Sequence, residues 1–93
     1  MNTMNLLPYI MMTVLAHNNG HPMIPLDRVA VDYFGLTPEK FSRKLASGEI
    51  DLPVITMEDR NRKSHRGVLV PQLAEYLFQR GEEASRNSRK RAA

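Results

Sequence analysis

The chain contains no cysteine, which excludes a disulfide framework and every thiolate metal site. It has no long hydrophobic run. Its most apolar stretch, Leu6 to Ala16, spans eleven residues, whereas a membrane-crossing helix needs about 20. A secretory signal is not expected there either. Met1 to Asn5 carries no positive charge, and His17-Asn18-Asn19 is not a small-residue cleavage site. The stretch reads as a buried strand or a short helix on a core. A glycine-rich phosphate loop is also missing. With 93 residues, the chain is long enough for one small domain, but not for an enclosed substrate cavity with its supporting shell.

Catalytic constellations are equally sparse. His17 and His21 are four apart, but Asn18-Asn19-Gly20 between them breaks the helix that would aim both at one metal. Glu49 with Asp51, and Glu58 with Asp59, sit in connections expected to be exposed, where nothing separates their pKa values for acid–base work. Ser64 and His65 are neighbours on an extended segment and point to opposite faces. Four of the six methionines lie in the first twelve positions and read as core or contact-surface residues. No enzyme, metal site, cofactor or small-molecule substrate is expected.

Positive charge is present and unevenly placed. Net charge is only +3, yet four of the thirteen basic residues (Arg60, Arg62, Lys63, Arg66) fall within seven positions. Another four (Arg86, Arg89, Lys90, Arg91) fall in the last eight. Clusters of this kind favour a polyanionic partner more than the net value does.

The elements can be read in order. Asn18-Asn19-Gly20 is a turn, because Asn and Gly tolerate positive φ. Met23-Ile24-Pro25 is extended. Leu26, Val29, Ala30, Tyr33 and Phe34 recur at the spacing of an amphipathic helix, which Gly35 ends. Thr37 caps a second helix, with Pro38 at its first position and Glu39 in its first turn. Phe41 and Leu45 form that helix's buried seam, and Gly48 stops it. Val54 to Met57 and Gly67 to Val70 are β-prone runs joined by a nine-residue polar tip, Glu58 to Arg66. Pro71 opens a further helix with Leu73, Ala74, Leu77 and Phe78 on one face. From Gly81 the apolar residues run out, so residues 82–93 are expected to fray into a disordered basic tail. The division is residues 1–81 as the domain and 82–93 as the tail.

Two helices joined by a tight turn, then a hairpin with a cationic tip, suggest an α+β fold: a small winged helix-turn-helix with a short β-hairpin wing. Most of the chain also carries a resemblance. The run from Asp32-Tyr33-Phe34-Gly35-Leu36-Thr37-Pro38-Glu39 through Ser47-Gly48-Glu49-Ile50-Asp51-Leu52-Pro53-Val54 resembles the pyocin activator family, PrtN. These are small transcriptional activators associated with phages and bacteriocins. The likeness extends over about Met11 to Arg80. Its Gly–x–x–x–Leu-Pro-Val connection is also similar to the Cox and excisionase proteins of temperate phages. The resemblance implies binding to short repeated promoter boxes and activation of a lysis or tail-gene cluster in a bacterial cytoplasm.

The residues expected to contact DNA follow from helix geometry. With Phe41 and Leu45 facing inward, Lys40, Ser42, Arg43, Lys44 and Ser47 face outward. Arg43 is the candidate for paired hydrogen bonds to guanine, and Lys40 and Lys44 for phosphate anchors. Thr37 leaves backbone N–H groups at a positive helix end, itself a phosphate site. In the wing, Arg60 or Arg62 suits a narrow minor groove, with Lys63, Ser64 and Arg66 on phosphates. Double-stranded DNA is the expected partner, with RNA polymerase as a second candidate and further copies of the chain assembled on DNA. Two other readings use the same residues. One is an architectural excisionase-like protein that bends DNA. The other is a winged module that binds a protein, with its charge only solubilising.

Overall fold

The computed structural model describes residues 5–58 and 65–92. Its elements run α1 (Leu7–His17), β1 (Met23–Pro25), α2 (Leu26–Phe34), α3 (Pro38–Ser47), β2 (Ile55–Thr56), β3 (Arg66–Leu69) and α4 (Val70–Ala92). The architecture is α+β, four helices with one three-stranded antiparallel sheet in the order β1-β3-β2. That order puts the last strand between the first two and is compatible with a small winged helix.

Local chemistry explains most of the boundaries. The Leu6–Ala16 stretch is helical rather than extended, with Pro8 in its first turn and Asn18 at its end. The reversal that follows uses positive φ at Asn19 (57°) and Gly20 (79°), as the side chains there allow. Gly35 ends α2 in the left-handed conformation at φ 63°. Thr37 caps α3 by accepting a hydrogen bond from the Lys40 amide at 3.2 Å, and Pro38 and Glu39 occupy the first turn. A threonine cap of this kind stabilises a helix by about 1 kcal/mol.

The core lies where the sheet and all four helices meet. Ile24, Val29, Ala30, Phe41, Val68, Leu73 and Ala74 are fully buried. Phe34 fixes the relation between helices: its ring lies 4.8 Å from that of Phe41 on α3 and 5.5 Å from that of Tyr76 on α4. Tilted pairs at these separations add about 0.5–1.5 kcal/mol each beyond area burial. The helix of greatest interest for function, α3, is therefore clamped through α2 to the body.

The last helix departs from the sequence expectation. The sequence reading ended it near Gly81 and began a disordered tail at residue 82, whereas α4 continues through Gly81 to Ala92. A single internal glycine costs a helix only about 1 kcal/mol relative to alanine. The residues after it, Glu, Ala, Arg and Lys among them, are good helix formers, and Arg80 pairs with Glu83 at 2.9 Å one turn on. No described helix is long and apolar enough to cross a membrane.

Candidate nucleic-acid interface

The predicted contact residues divide by what the fold does with each of them. On α3, Lys40 and Arg43 are exposed, and among the described residues neither has a side-chain partner. They stand on the face opposite Phe41, which is fully buried, and Leu45, which packs against the core. The helix thus presents two cations without ion-pair partners among the described residues, on the side away from its buried seam.

Lys44 differs. Its Nζ donates to Glu49 Oε2 at 3.0 Å. That hydrogen bond and then the charge of Lys44 lower the Glu49 pKa; desolvation opposes them, and a hydrogen bond from Ser47 is the least of the four effects. The pair closes around the left-handed Gly48, which turns the chain so that Glu49 comes back to the end of α3. Ser47 belongs to the same arrangement. Its Oγ donates to the Lys44 carbonyl at 3.1 Å and lies 3.4 Å from Glu49 Oε1. Sequence reasoning placed Lys44 and Ser47 outward and missed Glu49. The spacing of five residues around a glycine turn matches no helical pair rule.

Ser42 is half-buried rather than fully outward. With Leu26, Leu45, Ala46, Leu52, Val54 and Arg66, it lines a shallow groove between α3 and the base of the hairpin. This groove brings one predicted helix residue and one predicted wing residue, Ser42 and Arg66, to the same surface. Thr37 is exposed, and its oxygen is already engaged in the cap.

The hairpin base is formed by Ile55 opposite Gly67 and Thr56 opposite Arg66. A hydrogen bond from the Met57 amide to the His65 carbonyl at 3.0 Å extends it by one pair. Arg66 is exposed on β3. The predicted contacts Arg60, Arg62, Lys63 and Ser64 lie outside the described residues, as does Asp59.

A polar cluster near the end of α1 was not anticipated. Asn18, read as an ordinary turn residue, is only 2% exposed. Its Nδ2 donates to the Val14 carbonyl at 2.8 Å and to the Tyr33 hydroxyl at 3.1 Å. His17 Nδ1 lies 2.7 Å from the same hydroxyl. Tyr33 thus joins α2 to the end of α1. A polar residue in a turn signal gives no hint that it will be covered.

No significant match was found among curated proteins or among solved structures. Residues 11–84 match the family model described as pyocin activator protein PrtN. That match covers most of the chain and includes α2, α3 and the hairpin. The chain belongs to the pyocin activator PrtN family, whose members are transcriptional activators and not a class of enzyme.

Proposed function

We propose that the chain is a winged-helix activator that reads double-stranded DNA with α3 in the major groove, steadied by the hairpin wing. The observation that carries this reading is the two-sidedness of α3. Its inner side is clamped by Phe41 against Phe34, and its outer side offers Arg43 and Lys40 without neutralising partners among the described residues. A rigid helix with free cations is what base readout needs, because paired donors must be held in place to distinguish guanine.

The roles follow from position. Arg43, near the middle of α3, reads a base edge, and Lys40 anchors a phosphate. Lys44 is half-neutralised by Glu49 and contributes less. The Thr37 cap sets a helix start that suits a phosphate. Ser42 and Ser47 line the approach. Arg66 at the hairpin base, together with Arg60, Arg62, Lys63 and Ser64, contacts backbone or minor groove. The target is a phage or phage-tail-like bacteriocin gene cluster in a bacterial cytoplasm, with RNA polymerase as the recipient of activation. One small module spans few base pairs, so useful specificity calls for two or more copies on adjacent sites.

A nuclease-protection footprint on the DNA flanking such a cluster tests the proposal. Protected short repeats, with log affinity falling linearly against log salt at about 0.9 per phosphate contacted, are expected. Binding that is absent or indifferent to salt contradicts it and favours a protein-binding module.

A further inference from the structure

The second half of α4 has no place in that interface. The Val70 amide is hydrogen-bonded to the Pro22 carbonyl at 2.9 Å, so α4 starts beside the entry to β1, and α1 packs against it. With eleven residues, α1 is roughly 16 Å long, whereas the 23 residues of α4 span roughly 34 Å. The long helix outruns its neighbour. Buried and half-buried positions on α4 end at Glu83, and every residue from Ala84 to Lys90 is exposed. The molecule is accordingly elongated, 51 Å in its longest dimension.

The charge on α4 changes sign where the body ends. Glu82 and Glu83 are the last half-buried residues, and Glu83 is paired with Arg80. Beyond them Arg86, Arg89 and Lys90 follow at i, i+3 and i+4, within about a 100° arc of the helix. None of the three has an ion pair or hydrogen bond among the described residues. Over those four steps the helix rises about 6 Å, and one DNA strand carries a charge every 3.4 Å of axis. Because the strand also winds around the axis, the face spans about two successive phosphates.

Complementing the helix dipole would be the simpler reason for basic residues at a C-terminus. That effect decays within the last turn: it reaches Arg89 and Lys90 but not Arg86, which lies six residues before the end of α4.

We infer that the exposed end of α4 is a helical arm that grips the phosphate backbone of the same duplex through Arg86, Arg89 and Lys90. It is a contact separate from α3 and the wing, and it carries no sequence preference. The inference rests on the DNA-binding reading above.

Full-length protein with Arg86→Ala, Arg89→Ala and Lys90→Ala is compared with wild type on a cognate and a scrambled duplex over a salt series. The salt slope should fall by about 2–3 units, since each lost phosphate contact removes about 0.9, and by the same amount on both duplexes. Alanine favours helix, so circular dichroism should show α4 retained. A second variant, Arg86→Lys with Arg89→Lys, should keep the wild-type slope. Wild type that binds neither duplex removes the DNA-binding reading and the arm with it. Wild type that binds, with an unchanged slope in the alanine variant, removes the arm alone. A flattened slope in the lysine variant also overturns the arm, because charge is retained there.

Discussion

A side-chain carbon placed on Gly67 would fall onto the backbone carbonyl of Ile24, with Met23 Cγ only 2.9 Å away. Gly67 sits opposite Pro25 of β1 and Ile55 of β2, at the centre of the sheet. The close approach of β1 and β3 that positions the hairpin therefore depends on a residue without Cβ.

Gly67→Ala is expected to lower stability by about 1–3 kcal/mol, the usual cost of forcing atoms into a filled site. Thermal unfolding measures it, and for a domain of this size the midpoint should drop by roughly 4–8 °C per kcal/mol. An unchanged midpoint would mean that β1 and β3 are further apart than described.

Tyr33→Phe deletes the hydroxyl engaged by His17 and by the buried Asn18. Asn18 keeps only its Val14 partner, and Asn18 Oδ1 has no partner even in the intact protein among the described residues. The expected loss is about 0.5–1.5 kcal/mol, the net worth of such a bond. Urea denaturation with an unchanged m-value would locate the effect in the folded state.

Much of this architecture was legible in the sequence, and the exceptions have physical causes. Gly35, Thr37, Pro38 and Gly48 announce their roles because each acts through its own backbone or a neighbour three residues away. The amphipathic stripe of α2 and the Phe41–Leu45 seam are equally local. The residues of Leu6–Ala16 are apolar on all sides, so no periodicity could separate helix from strand. The Lys44–Glu49 pair and the burial of Asn18 depend on how the chain returns on itself. Gly81 and the polar composition after it signal a helix end, whereas the helix propensity of the following residues carries α4 on to Ala92. Of the predicted contact surface, Lys40 and Arg43 are exposed on α3, and Ser42 and Arg66 share one groove. Residues Arg60 to Ser64 lie outside the described residues and remain part of the proposal.

Gly81→Ala tests the continuous helix directly. Gly81 is exposed in mid-helix, and a Cβ there meets nothing within 4 Å. A gain of about 0.5–1 kcal/mol and a rise in helical circular dichroism are expected. No change in either would favour a chain that frays at this glycine.

Glu49→Gln releases Lys44. Because the pair is exposed on the surface, stability at neutral pH should be nearly unaffected. The folded pKa of Glu49 is lowered. Its contribution is therefore complete above the ordinary glutamate range, near pH 4, and is lost as pH falls through the lower folded value. The variant should be less sensitive to acid in that window alone. Its DNA affinity should rise at low salt and its salt slope should steepen by about one unit, a change read by titration on scrambled duplex.

In the proposed complex, α3 reads sequence through Arg43. The most direct test is the affinity of wild type and Arg43→Ala for the footprinted site and for a scrambled duplex, measured at one fixed salt concentration. A loss of about 1–3 kcal/mol on the site, with little change on scrambled DNA, is the predicted result. Equal losses on both duplexes would contradict the claim and make Arg43 a phosphate contact.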